Sequence, residues 1–140
     1  MTSVKGVLPI ILCGKSTNVA NAVSKALQPQ IQITHTYFSV ESAKEEIPKV
    51  LKIKDENRPL AVMLGGAFDD QAFSDIRNAV SQSGEKTTWL RKDNNQKASV
   101  SPSENQAGYG EEVALRAKEL LLKLASNQSL YNPSNDVEVY

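Results

Sequence analysis

Three segments in the first half of the chain have the pattern of β-strands. Residues 7–13 and 60–64 are continuous apolar runs, which are typical of strands buried on both faces of a parallel sheet. Residues 31–38 are rich in β-branched and aromatic side chains and alternate in their first part. A shorter run, residues 87–90, predicts a fourth strand at an edge of the sheet.

Apolar residues at helical spacing follow each of these strands. Residues 16–18, Ser39 and residues 69–70 can cap the first three helices, and the last helix is expected to begin at residues 108–110. Pro48 falls inside the second helix, where we expect a kink or a break, because proline removes a backbone donor.

Strands that alternate with helices indicate a parallel sheet with right-handed crossovers and helices on both faces. We therefore predict an α/β protein, a three-layer sandwich around a four-stranded, mostly parallel sheet. The fold would be Rossmann-like or flavodoxin-like, with strand order 2-1-3-4 or 3-2-1-4, between which the sequence does not decide. One domain is expected over residues 1–125 and a polar tail over residues 126–140, in which residues 137–140 can add an edge strand.

Residues 91–107 carry almost no apolar side chain, and a loop of that length is often a lid, a binding loop or disordered. It leaves the fourth strand at the carboxyl edge of the sheet, so we expect it to close over that edge when a ligand binds. Gly108 and Gly110 would supply the hinge and Tyr109 an aromatic anchor. A plain surface connection is the alternative.

The composition excludes several classes of function. The 140 residues suffice for one domain, and the 16 basic and 16 acidic side chains cancel, so the chain lacks the positive field of a nucleic-acid or membrane binder. The single cysteine, Cys13, allows no intramolecular disulfide, and no apolar run approaches the ~20 residues of a membrane helix. The single histidine, His35, lies mid-strand without metal-binding partners. We expect a soluble, cytoplasmic protein with no metal, no membrane and no nucleic-acid partner.

In open parallel sheets, ligands bind outside the carboxyl ends of the strands. The residues that this rule brings together are glycines and polar, basic or aromatic residues: Gly14, Lys15, Ser16, Gly65, Gly66, Phe68, Arg91 and Tyr109. The first three would hold an anionic or polar group, the next three would form the facing wall, and Arg91 would lie at the rim. We therefore predict a small polar or anionic ligand, with a nucleotide among the candidates, and leave open whether a reaction is catalysed.

Two nucleotide-binding motifs are incomplete in this chain. The segment Gly14-Lys15-Ser16-Thr17 matches the end of a Walker A loop, but Pro9 stands where that motif needs its first glycine. The dinucleotide fingerprint is absent, because no glycine lies between Gly14 and Gly65. An NAD(P) cofactor would therefore have to bind without its usual glycine-rich loop.

Cys13 and Asp70 are the candidates for a catalytic role. Beside a helix N-terminus and Lys15, the thiolate of Cys13 would be stabilised, so its pKa would fall. Residues 13–17 resemble the cysteine-phosphorylation loop of the small IIB subunits of sugar phosphotransferase systems, although they are at least one residue shorter. In the alternative interpretation Cys13 is a small buried hydrophobic residue.

A series of short motifs resembles a family of small, largely uncharacterised fungal proteins described as Rossmann-like or NAD(P)-binding-domain-like. The motifs are Cys13-Gly14-Lys15, Glu46-Ile47-Pro48, Arg58-Pro59, Leu64-Gly65-Gly66-Ala67-Phe68-Asp69-Asp70, Trp89-Leu90-Arg91 and Gly108-Tyr109-Gly110. The resemblance spans nearly the whole chain and implies a cytosolic, Rossmann-like protein of eukaryotic origin. It brings no catalytic residues, and it argues against the bacterial phosphotransferase interpretation.

A second class of function stays open beside ligand binding. A four-stranded sheet has two exposed edges, and small sheets often hide one edge against a partner. The alternative prediction is therefore a non-catalytic interaction module that forms a homodimer.

Overall fold

The computed structural model describes residues 7–53, 58–65, 68–92, 105–126, 130 and 136–140. Five strands and four helices alternate along these residues: β1 (Leu8–Cys13), α1 (Thr17–Leu27), β2 (Ile31–Tyr37), α2 (Val40–Lys52), β3 (Ala61–Leu64), α3 (Asp70–Gln82), β4 (Thr88–Arg91), α4 (Gln106–Ser126) and β5 (Val137–Val139). The predicted α/β class is confirmed. No helix in the described ranges is long and apolar enough to cross a membrane.

The strands form one parallel sheet in the order β2-β1-β3-β4-β5. This is the flavodoxin-like order, and it extends one of the two orders that the sequence left open. The predicted number of four strands is one too few, because β5 adds to β4. The amide of Trp89 donates to the Asp136 carbonyl, and the amide of Tyr140 donates to the Arg91 carbonyl, both at 2.9 Å. The prediction that residues 87–90 form an edge strand is therefore wrong.

Two pairs of helices cover the two faces of the sheet. Helices α1 and α4 pack together on one face, which we call the α1–α4 layer, and α2 and α3 pack on the other, the α2–α3 layer. Side chains of β1 alternate between the layers, so Ile10 and Leu12 face α1 and α4 whereas Ile11 and Cys13 face α2 and α3. The buried residues Leu130 and Tyr140, from the segment expected to be a polar tail, belong to the α1–α4 layer.

Capping side chains begin the first three helices. The hydroxyls of Ser16 and Ser39 accept from the amides of residues 19 and 42, at 3.2 and 3.1 Å, and an oxygen of Asp69 accepts from the amide of residue 72 at 2.8 Å. Helix α2 runs through Pro48 without the break that was one of the predicted outcomes. The fully buried side chains of Ile47 and Leu51 anchor the helix on both sides of the proline.

Helix α4 begins at Gln106, so both Gly108 and Gly110 lie inside it. A Cβ atom on Gly110 would lie 2.9 Å from the Ala22 Cβ and 2.9 Å from the Val19 carbonyl oxygen. The missing side chain therefore lets α4 approach α1 closely, and the predicted hinge role of the two glycines is wrong. The other part of the lid prediction, residues 93–104, lies outside the described residues.

Candidate functional site

A cavity of about 520 Å³ opens at the carboxyl ends of β1 and β3, on the side of the α1–α4 layer. These strands lie side by side, and the order of the sheet reverses between them, so the cavity lies at the switch point where open α/β sheets bind ligands. Its volume falls in the range of roughly 300–1,000 Å³ that is usual for small-molecule sites. The lining residues are Leu12, Cys13, Gly14, Lys15, Ser16, Val19, Ala20, Val23, Met63, Gly65, Lys92, Gln106, Tyr109, Val113 and Tyr140.

Five of the predicted ligand-binding residues line this cavity: Gly14, Lys15, Ser16, Gly65 and Tyr109. Phe68 and Arg91 do not line it. Phe68 is buried in the α2–α3 layer, and Gly66 lies outside the described residues. The rule that ligands bind at the carboxyl ends of parallel strands placed these residues at one edge of the sheet. It does not predict on which face of the sheet each side chain lies.

Arg91 belongs to the α2–α3 side of that edge. Its guanidinium lies 4.5 Å from the centroid of the Phe73 ring and 2.8 Å from a carboxylate oxygen of Asp70. Arg91 lies two residues after Trp89 in β4, so the two side chains point to the same face of the sheet, and that of Trp89 is buried in the α2–α3 layer. Asp70, the second catalytic candidate, is 92% exposed and does not line the cavity.

The main chain is uncovered at Gly14 and Gly65, where it borders the cavity. A Cβ atom on Gly14 would meet no atom within 4 Å, and one on Gly65 would meet only the Cys13 carbonyl oxygen, at the ordinary contact distance of 3.5 Å. Neither glycine has a positive φ. Protein packing and backbone conformation therefore do not require glycine at either position, and a bound molecule can approach the backbone closely there.

The mouth of the cavity is polar and positive. Lys15 and Lys92 line it, and no Asp or Glu side chain among the described residues does. Helices α1 and α4 both begin here, and the side-chain amide of Asn18 donates to the Gln106 side chain at 2.8 Å, which links their first turns. The first amides of a helix have no partner within the helix, and in α1 the Ser16 hydroxyl accepts from the amide of residue 19, so the amides of residues 17 and 18 are the ones that can bind an anion.

Cys13 does not have the environment of a reactive thiol. It is fully buried, its side chain packs in the α2–α3 layer, and loss of hydration raises its pKa to about 12. The expected lowering of this pKa is wrong, because desolvation outweighs the helix N-terminus and Lys15. The thiol is therefore protonated at neutral pH, which agrees with the interpretation of Cys13 as a small buried hydrophobic residue.

Tyr140 is a cavity residue that the sequence did not predict. Its hydroxyl donates to the carbonyl oxygen of Leu64 at 2.6 Å, and burial raises the pKa of the phenol. The alternation of Val137 and Val139 with Glu138 and Tyr140 was the available signal, since it puts the tyrosine on the opposite face from the valines. Gln106 and the apolar residues of α1 and α4 were missed as well, because they become neighbours only through the packing of α1 against α4.

Histidine and metal chemistry have no support at this cavity among the described residues. His35 lies on the edge strand β2, where its ring stacks on Tyr37 with centroids 6.3 Å apart, and it does not line the cavity. Within the part of the chain that the structure describes, no three His, Cys, Asp or Glu side chains cluster as a metal site would require. The lining offers backbone amides, two lysines and apolar side chains to a ligand.

Comparison with known proteins adds one relative. No protein-family model matches the chain. The chain is 31% identical over 130 residues to a protein of Aspergillus oryzae (strain ATCC 42149 / RIB 40), Kojic acid related protein 6; the match covers 86% of this chain and 79% of the relative. The predicted relationship to fungal proteins is confirmed.

Proposed function

The chain belongs to the same fungal protein family as Kojic acid related protein 6, and within this family we propose that it is a stand-alone binding protein for one small organic molecule. The ligand occupies the cavity between α1, α4 and the carboxyl ends of β1 and β3. The observation that carries this proposal is the cavity itself, with a volume of about 520 Å³. The cytoplasm is the proposed location, supported by the low cysteine content.

A cavity of this size is best explained by an occupant. Protein interiors are packed as densely as organic crystals, so apolar side chains that border an unfilled volume forgo the dispersion contacts that packing would supply. Leu12, Val23, Met63 and Val113 are buried residues that nonetheless border the open volume. The absence of side chains at positions 14 and 65 keeps that volume accessible. Both features are accounted for if a ligand completes the packing.

Binding without chemistry is the form of the proposal that the lining residues support. The protonated thiol of Cys13 and the distant Asp70 give no nucleophile or base inside the cavity. Phosphoryl transfer through Cys13 is therefore not part of the proposal.

The proposal is tested by thermal unfolding in the presence of ligand panels. The panel contains nucleotides, dinucleotides, sugar phosphates, aliphatic and aromatic acids, and kojic acid, which the name of the relative mentions. A ligand at 100 times its Kd stabilises the folded state by about 2.7 kcal/mol and raises Tm by several degrees. Trp89 is a poor reporter, because its ring is buried in the other layer.

A variant that fills the mouth of the cavity supplies the control. Gly14→Leu places a side chain in open space beside the cavity, so it should abolish the shift in Tm while the protein stays folded. Asn21→Leu adds the same side chain to an exposed position of α1 that does not line the cavity, and it should leave the shift unchanged. If no compound in the panel raises Tm, the proposal fails; a shift that Gly14→Leu leaves intact shows binding elsewhere.

A second candidate function is homodimerisation through the sheet edge. Strand β5 is the last strand of the sheet, and its Val137 and Val139 are 40% and 59% exposed. Light scattering should then report a dimer, and Val139→Lys should dissociate it. A strict monomer at high protein concentration would contradict this candidate.

A further inference from the structure

The cavity divides into an apolar interior and a positive mouth, and from this division we infer that its ligand is a small amphipathic acid. The inference rests on the proposed function and adds the chemical class of the ligand. A single anionic group lies at the mouth between Lys15 and Lys92, and an alkyl or aromatic body fills the space between α1 and α4.

Polarity changes with depth in the cavity. The buried lining side chains are aliphatic, a thioether and one tyrosine ring: Leu12, Ala20, Val23, Met63, Val113 and Tyr140. The phenol of Tyr140 already donates to the Leu64 carbonyl, so the ring offers the interior its carbon surface. A ligand group that enters this part gains by leaving water only if it is apolar.

The charged side chains of described residues that line the mouth have one sign. Lys15 follows β1 and Lys92 follows β4, and both line the cavity. Asp69 and Asp70 are close in sequence to Phe68, but neither lines the cavity. The positive charges of both lysines would attract an anion to the mouth, and at Gly14 the anion would approach the main chain without steric hindrance.

The same division disfavours nucleotides and dinucleotides. A pyrophosphate or triphosphate carries several charges, and the mouth has two lysines and no glycine-rich loop to surround them. Ribose hydroxyls would enter an interior whose buried side chains offer them only the phenol oxygen of Tyr140 as an acceptor, which makes their burial unfavourable. One charge on an otherwise apolar molecule matches the cavity best.

A pair of dyes with the same aromatic body separates charge from apolar shape. Anilinonaphthalene sulfonate carries one anionic group, and N-phenylnaphthylamine is its neutral counterpart. Fluorescence titration of the folded protein should give a Kd about tenfold lower for the sulfonate. Raising the salt concentration should weaken the binding of the sulfonate and leave that of the neutral dye unchanged.

Two double variants identify the source of the preference. Lys15→Met with Lys92→Met should bring the Kd of the sulfonate up to that of the neutral dye, whose own Kd should not change. Lys25→Met with Lys44→Met removes the same charge from exposed positions away from the cavity and should leave both Kd values unchanged. Far-ultraviolet circular dichroism establishes that each variant is folded.

The outcomes distinguish this inference from the function on which it rests. If both dyes bind equally well to the wild type, or the preference survives loss of Lys15 and Lys92, the inference is overturned. In either case, loss of neutral-dye binding in Gly14→Leu still supports a small-molecule site. If neither dye binds, the inference is overturned, and the proposed function is then decided by the panel of compounds and its shifts in Tm.

Discussion

The two faces of the sheet differ at its carboxyl edge, because the side chains there are large in the α2–α3 layer and small in the α1–α4 layer. In the α2–α3 layer, Phe68, Phe73 and Trp89 are buried, and the rings of Phe73 and Trp89 meet edge to face with centroids 5.7 Å apart. In the α1–α4 layer, glycine at position 14 and alanine at position 20 border a cavity of about 520 Å³. Topology therefore brings potential sites to an edge, and side-chain volume decides on which face a cavity forms.

The largest expected effect tests whether the α2–α3 layer is close-packed. Trp89→Ala should lower the free energy of unfolding by about 3–5 kcal/mol, because it leaves a void where a fully buried ring stood. Met63→Ala, at the wall of the cavity, should lower it by less, near the ~2 kcal/mol end of the range for such changes, because open volume already borders Met63. Urea unfolding measures both, and equal losses would contradict the contrast between the layers.

A second prediction compares Gly14, which precedes α1 in the chain, with Gly110, which packs against α1 from α4. Gly110→Leu should cost about 3 kcal/mol, because even its Cβ would lie 2.9 Å from two atoms of α1. Gly14→Leu should change stability by no more than about 0.5 kcal/mol, the usual limit at sites without packing constraints. The same substitution is compared in both cases, and a costly Gly14→Leu would show that position 14 is packed.

The protein should lose stability at alkaline pH because the Cys13 thiol is buried. The pKa of Cys13 is about 12 in the folded protein against 9.0 for the free group, so its contribution to stability is fully present below pH 9 and falls as pH rises toward 12. Between pH 8 and pH 10 this loss amounts to about 1.4 kcal/mol. Cys13→Ala should remove that part of the pH dependence. A thiol reagent should label wild-type Cys13 only after unfolding; rapid labelling at pH 8 in the folded state would contradict its burial.

No loss of stability is expected from a substitution at Gly65. Its Cβ position has only an ordinary contact at 3.5 Å, so Gly65→Ala should leave stability unchanged or raise it by up to about 1 kcal/mol through the unfolded state. The same methyl group would nevertheless lie against a ligand, so binding of anilinonaphthalene sulfonate should weaken. Unchanged dye binding would indicate that ligands do not approach the main chain here.

Local patterns in the sequence predicted most of the helices and strands, but not the face of the sheet on which each side chain lies. Ser16, Ser39 and Asp69 cap helices as expected, and the apolar runs form strands. Assigning Phe68 and Arg91 to a face requires the strand order and the handedness of each crossover, which no short segment contains. That is why the predicted site combined residues from both layers.

Strand β5 escaped firm prediction for a different reason. It has three residues, and its valines are exposed, so it lacks the buried pattern that marks β1 and β3. Its position is fixed by backbone hydrogen bonds to β4 and by the buried Tyr140, which are long-range interactions. The residues of α1 and α4 that line the cavity could not be predicted for the same reason, because they too are brought together by long-range packing.

The close contact at Gly110 gives the cavity an adjustable width. The carbonyl oxygen of Val19 would lie 2.9 Å from a Cβ on residue 110, and Val19 also lines the cavity, so the spacing of α1 and α4 is set directly beside the cavity. Changing the paired positions 22 and 110 together, with a smaller residue on one helix and a larger one on the other, would retune that spacing without touching a lining side chain. The width of the cavity can thus be engineered through residues that do not line it.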